Sequence, residues 1–226
     1  MKITIISAFP NAFSFLNESI NKRAQEKELL DLKIVNLLDF GVGEWKKIDD
    51  KPFGGGAGMV LQVEPLYKAL KSINAIDNEN VEVILTSARG ETWNQQMAEN
   101  YSASEKELVI ICGHYEGVDQ RIIDNFVDKE ISIGNFILSG GEAAAMVMVD
   151  SITRLIEGVV GNEQSIKDET EFLDDHKIAE YPHYSRPEVF VTDEGKELKV
   201  PDILLSGHHA EIDKWKNSNK LRISNL

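Results

Sequence analysis

Cys112-Gly113-His114-Tyr115-Glu116-Gly117 follows the apolar run Leu108–Cys112, and Ser132-Ile133-Gly134-Asn135-Phe136-Ile137-Leu138-Ser139-Gly140-Gly141-Glu142 follows Ile131–Ile133. Each is a glycine-bearing turn at the end of a β-rich segment. Glycine lets main-chain amides and carbonyls approach a ligand with no Cβ in the way, so two such turns predict a pocket whose polar contacts are largely backbone. The β-rich runs Ile3–Ser7, Leu32–Val35, Val81–Thr86, Leu108–Cys112 and Ile131–Ile133 alternate with segments of helical spacing, 12–25, 63–76, 92–101, 120–126 and 142–156. That alternation predicts an α/β domain with a mainly parallel sheet. The last helical segment opens on Gly-Gly-Glu and is rich in Ala and Met, which suits close packing on a sheet or on a partner subunit.

With 226 residues, 42% of them apolar, the chain can bury one full core plus a small appendage. No window approaches the roughly 18 apolar residues of a membrane span, and the N-terminus lacks a cleavable signal, so a cytoplasmic protein with no membrane partner is expected. The single cysteine, Cys112, excludes an intrachain disulfide framework and a multi-cysteine zinc site, and reads as a buried, inert thiol. A net charge of −14 opposes indiscriminate binding to phosphate backbones. Neither part of the chain is a basic module: 15 basic and 24 acidic residues precede Gly161, with 9 and 14 from it onward. An acidic total can still contain a local positive groove.

The acidic, aperiodic segment 161–175 reads as a linker. Beyond it, Tyr181–Pro187 and Pro201–His209 lead to a short helix at 210–216, enough for a small second domain. The run Phe53-Gly54-Gly55-Gly56-Ala57-Gly58-Met59 lacks both the Lys-Ser/Thr of a phosphate loop and the glycine spacing of a dinucleotide fingerprint. A mobile loop and a lid with Phe53 available for contact are equally good readings. None of the five histidines has zinc-helix spacing, and Arg154, near the end of the 142–156 helix, also suits the negative end of the helix dipole.

Taken together, the glycine run at 53–59, the turns at 112–117 and 132–142, Pro182-His183-Tyr184-Ser185-Arg186-Pro187 and Leu204-Leu205-Ser206-Gly207-His208-His209 resemble the bacterial tRNA (guanine-N1)-methyltransferase family, in order and over essentially the whole chain. The resemblance implies a SPOUT-type knotted (trefoil) α/β fold, with a mainly parallel sheet and flanking helices, plus a small mostly helical C-terminal domain. It divides the chain into a methyltransferase domain at 1–160, a linker at 161–177 and a tRNA-contacting domain at 178–226. It implies a homodimer with the active site across the interface and S-adenosylmethionine as methyl donor. Mg2+ is a further cofactor candidate, although no carboxylate cluster marks a metal site. The acceptor is N1 of the guanine immediately 3′ of the anticodon, position 37 of tRNA. Alternatives are a SPOUT methyltransferase acting on another RNA, or a binder of tRNA or S-adenosylmethionine that has lost catalysis.

By the family pattern, the cofactor falls on Gly113, on Ile133, Gly134, Asn135, Phe136, Ile137 and Leu138, and on Thr86, Ser87, Tyr115, Gly140 and Gly141. Asp50, Gly55, Gly56, Glu116 and Ser165 fall on the substrate side. Guanine N1 carries a proton, so a carboxylate base is needed, and charge spreading to the exocyclic oxygen calls for a fixed cation. Arg154 matches the family's arginine for that task. The family's Asp-Ser-Phe is altered here: counting from Ser165 puts Glu169 in the base's place, with Asp168 the alternative. His114 stands where many members carry Arg. The chain ends at Leu226, sooner than typical members, leaving Lys214, Trp215, Lys216, Lys220 and Arg222 for phosphate and stacking contacts.

Overall fold

The computed structural model describes residues 1–161, 179–219 and 221–222. The chain divides into two compact units, Met1–Gly161 and Asn162–Leu226. The first contains the strands β1 (Lys2–Ser7) and β2 (Asp31–Asn36), the short pair β3 (Asp49–Asp50) and β4 (Val60–Leu61), and β5 (Val81–Thr92), β6 (Glu107–Cys112) and β7 (Lys129–Ser132). Its helices are α1 (Ser19–Glu26), α2 (Val63–Ser72), α3 (Gln95–Ser102), α4 (Gln120–Phe126) and α5 (Glu142–Thr153), with 3-10 turns at Pro10–Asn17 and Leu37–Phe40.

Five strands form one sheet in the order β2-β1-β6-β5-β7, and every neighbouring pair is parallel. Parallel neighbours require crossover connections, and helices on both faces turn the strands into nearly continuous apolar runs. Period-two alternation then separates two cores. Ile3, Ile5, Ile84, Leu108 and Ile110 face the 3-10 turn at Pro10–Asn17, α1, α3 and α5, while Ile6, Val83, Leu85, Val109 and Ile111 face α2 and α4.

Element boundaries differ from the sequence pattern where one residue's backbone decides. The periodic segment 12–25 is a 3-10 turn and a separate helix, because Pro10 opens the turn and Ser19 has φ +48°. The 92–101 pattern starts as a helix only at Gln95, where Asn94 accepts a bond from the Met97 amide at 3.0 Å. The strand expected to stop at Thr86 continues to Thr92 after an excursion: Thr86 and Glu91 both pair with Ile131. Ser87–Gly90 bulge out between them, which bends the strand beside its own C-terminal edge. Gly90 is required there, since a Cβ would overlap the Glu130–Ile131 backbone.

The second unit carries a hairpin, β9 (Val189–Val191) with β10 (Glu197–Lys199), a short antiparallel pair of β8 (Ala179–Glu180) with β11 (Leu221–Arg222), and helices Asp202–Leu205 and His209–Ser218. The hairpin turn needs Gly195 at φ +82°. Lys216 lies 4.9 Å over the Tyr181 ring, Trp215 contacts Tyr184, and Lys214 pairs with Glu211. Three residues read from sequence as RNA contacts therefore have partners within their own unit.

A polar cluster binds β5, α3 and β7 beneath the strand ends. The Tyr101 hydroxyl donates to Glu82 at 2.6 Å, Lys129 pairs with Glu82 at 3.0 Å, and Trp93 stacks on Tyr101 while donating to Ser151 of α5 at 2.9 Å. Burial, then the bond to Glu82, push the Tyr101 phenol up to about 12. A phenol harder to ionise in the folded state adds stability in full below its unfolded value of about 10, and that contribution is lost as pH rises through the folded value. The stability advantage of the wild-type protein over Tyr101→Phe should therefore shrink between pH ~10 and ~12 in urea titrations. An advantage constant across that window would contradict this account of the cluster.

Candidate functional site

Because β5, β6 and β7 run parallel, their C-terminal ends meet at one edge of the sheet, where open α/β folds place ligands. Three hydrogen bonds tie the turns that leave those ends. The Thr86 hydroxyl, on a residue only 5% exposed, donates to the Ile111 carbonyl at 3.2 Å and accepts from the Gly113 amide at 3.0 Å. The Gly113 carbonyl accepts from the Gly141 amide at 2.7 Å, and His114 and Gly140 form an antiparallel bridge. Gly141 must lack a side chain, because a Cβ would overlap the Thr86 hydroxyl and crowd the Gly113 nitrogen.

The turns enclose a cavity of about 520 Å³, within the usual range for small-molecule sites. Its wall contains Thr86, Ser87, Gly113, Tyr115, Glu116, Ile133, Gly134, Phe136, Ile137, Leu138, Gly140 and Gly141. Asn135 lies in the same turn, exposed and outside the wall. The aromatic and aliphatic part is open: Phe136 is 54% and Ile137 83% exposed, leaving an apolar surface for a planar group. Tyr115 sits at φ +58°, a conformation costly for a non-glycine residue and concentrated at functional sites. Its hydroxyl is pushed up by burial and by the charge of Asp49. The Gly134 turn is closed by the Ser132 hydroxyl, which donates to the Gly134 carbonyl at 3.0 Å.

Part of the wall carries no signal in the sequence. Arg89, Glu130, Gln120 and Ile123 line it, and the Arg89 Nε donates to Glu130 at 2.9 Å while its Nη2 donates to Gln120 at 3.2 Å. Burial pushes the Glu130 carboxyl up, but the bonds from Arg89 and Ser87 outweigh it and hold the group below its ordinary value. The bulge of β5 carries Arg89 there, and no local pattern announces a bulge.

The glycine run joins β3 to β4 as a hairpin loop beside this rim. The Met59 carbonyl accepts from the Glu116 amide at 3.0 Å, and the Gly117 carbonyl from the Leu61 amide at 2.9 Å. Gly54, Gly55, Gly56 and Gly58 all have positive φ, and Phe53 is fully exposed. Asp50, Gly55 and Gly56 lie outside the cavity wall. The Asp50 carboxylate accepts from the Lys51 amide at 2.8 Å and Gln62 at 3.4 Å. Arg154 follows the last turn of α5, its amide donating to the Asp150 carbonyl at 3.2 Å, and is also outside the wall. Ser165, Asp168 and Glu169 lie outside the described residues.

Cys112 is buried, its thiol pushed up by burial and by the charge of Glu142, which keeps it un-ionised. Among the described residues, no three or more His, Cys, Asp or Glu gather to hold a metal ion. No described helix is long and apolar enough to cross a membrane.

The family model described as tRNA (Guanine-1)-methyltransferase TrmD matches residues 1–225. The chain belongs to this family. A tRNA (guanine-N(1)-)-methyltransferase of Clostridioides difficile strain 630 is 47% identical over 226 residues, covering 99% of this chain and 94% of that protein. Those of Staphylococcus carnosus and Clostridium botulinum strain Hall are 47% and 45% identical, over 98% and 99% of this chain and 86% and 88% of theirs. The sheet and its helices agree with the α/β architecture that membership carries.

Among the described residues, no side chain other than Thr86 bonds both the Ile111 carbonyl and the Gly113 amide. Thr86→Val leaves the Gly113 amide and Ile111 carbonyl without the hydroxyl and should cost about 1–3 kcal/mol, read as a lowered urea midpoint, whereas Thr86→Ser should recover most of the loss. Equal midpoints for Val and wild type would remove the hydroxyl from this role.

Proposed function

We propose that this protein methylates N1 of guanine 37 in tRNA, taking the methyl group from S-adenosylmethionine held between the two glycine turns. The observation that carries the reading is the bonding of the Gly113 and Gly141 turns around one cavity in a chain of this family. The residues fit that cofactor. The glycines remove Cβ atoms where the turns meet, Gly134 leaves room beside the Phe136 ring, and Phe136, Ile137 and Leu138 offer apolar area to an adenine. When bound, S-adenosylmethionine supplies an electrophilic sulfonium methyl and leaves as a neutral thioether.

The protein's own part is to orient guanine and to move one proton. N1 must lose its hydrogen to a carboxylate as the new N–C bond forms, and we assign that proton to Glu169, with Asp168 as the alternative. Arg154 then stabilises charge growing on the exocyclic oxygen, where a planar guanidinium offers two parallel donors and a lysine only a point charge. Asp50, Gly55, Gly56, Glu116 and Ser165 are assigned to the guanine side, the hairpin loop acting as its lid. The three-part division at 160 and 177, the trefoil knot and the cytoplasmic setting complete the proposal.

The site is assigned to a homodimer. α5 is apolar nearly all round: Ala144, Ala145, Met148 and Val149 are buried in the core, yet Val147 is 46% exposed and Ala143 also lies outside. A helix apolar on every side is normally covered, and a second copy is the cover consistent with an active site completed across an interface. Val147→Glu should give monomers in sedimentation equilibrium, and an unchanged species would oppose this interface.

Labelled methyl should pass to an unmodified tRNA with guanine at position 37 and not to one with that guanine replaced. Transfer to both, or to neither, contradicts the assignment. Arg154→Lys should lower kcat about a hundredfold with little change in cofactor affinity. Glu169→Gln should abolish transfer while Asp168→Asn retains it; the reverse pattern moves the base to Asp168.

A further inference from the structure

We propose that His114 is a positioning residue that fastens the two glycine turns together, through a hydrogen bond from Nδ1–H to Glu142, when the cavity is filled. This inference rests on the methyl-donor reading of that cavity. His114 lines the wall, but its Nδ1 is sealed from solvent and has no hydrogen-bond partner. An unsatisfied buried polar atom is costly and calls for a reason. The nearest carboxylate oxygen, Glu142 Oε2, is 3.9 Å away, and the two side chains are only 19% and 12% exposed. Bringing the pair to ordinary hydrogen-bond length takes a movement of about 1 Å.

The Glu142 side is already fixed. Its Oε1 accepts from the hydroxyl of the fully buried Ser7 at 2.7 Å, and that hydroxyl in turn accepts from the Phe9 amide at 2.9 Å. The imidazole is held from two sides, by Phe9 with ring centroids 4.9 Å apart and by Tyr115 at 4.6 Å. Between the nitrogen and the carboxylate lies only the place where Gly140 has no side chain, since a Cβ there would collide with both. The gap is therefore bounded by a fixed acceptor on α5 and a guided ring on the Gly113 turn. The turns have room to close by the distance that makes the bond. The Gly113 turn carries three further titratable groups: Cys112, on which the Glu142 charge acts, Tyr115, which feels Asp49, and Glu116, which also lines the cavity.

The bond requires the proton on Nδ1, which separates it from a merely space-filling role. Asn places an amide donor near the Nδ1 position, while Gln places it near Nε2. Calorimetric affinity for S-adenosylhomocysteine should thus fall at least about tenfold in His114→Gln, the loss expected when one buried donor is withdrawn, and stay within about threefold of wild type in His114→Asn. Nitrogen-15 spectra of the loaded wild-type protein should show Nδ1 protonated and hydrogen-bonded. Equal affinities in all three proteins, equal loss in both variants, or an unprotonated Nδ1 in the loaded protein would overturn the latch while leaving the methyl-donor reading intact. Failure of the wild-type protein to bind the probe would contradict that reading itself, and the latch with it.

Discussion

The hydroxyl of Thr86 is the point on which the site depends. It sits at the end of β5, bonds to the neighbouring strand at Ile111, and holds the amide that begins the Gly113 turn. Gly113 then holds Gly141 through its carbonyl. A chain of three bonds thus ties two turns together at their bases, where they leave the ends of separate strands. Every link runs through backbone or a single hydroxyl, so none depends on a long side chain finding one rotamer. Glycine is needed at Gly141 for the same reason, because the Thr86 hydroxyl occupies the place of its Cβ.

That arrangement is stable because the sheet beneath it is covered on both faces. Alternate residues of β1, β5 and β6 feed two separate apolar cores, so a shift of one strand by a residue would exchange the contents of both. Register is therefore strongly specified where the turns begin. The Glu82–Tyr101–Lys129 cluster adds a directional tie between β5, α3 and β7, and Trp93 extends it to α5 through Ser151. Strands covered on both faces thus lie beneath the glycine turns that line the cavity.

The parallel sheet and the two turns were legible because apolar runs ending in glycine carry their own signal. Ile3–Ser7 and Leu108–Cys112 appear almost as the pattern predicts, and helix 120–126 matches residue for residue. The rest was set by features with no local signature. The excursion of β5 depends on pairing with β7, so the local pattern stops the strand at Thr86 and gives Arg89 no place in the cavity wall. The hairpin at Val189–Lys199 leaves little trace in the pattern because its strands are three residues each. The pairing of Lys216 with Tyr181 and of Lys214 with Glu211 is tertiary or side-chain detail that charge counting reads as free cations. Resemblance supplied what periodicity could not: the proposed roles of Arg154 and of Glu169, or Asp168 in its place.

The central claim is that one ligand occupies the space between the two bonded turns. Amide hydrogen exchange across the whole chain, with and without S-adenosylhomocysteine, tests it most directly. Added protection is expected in Cys112–Gly117 and in Ser132–Glu142 together, at the same ligand concentration. Protection of only one turn, or of a segment remote from both, would contradict it.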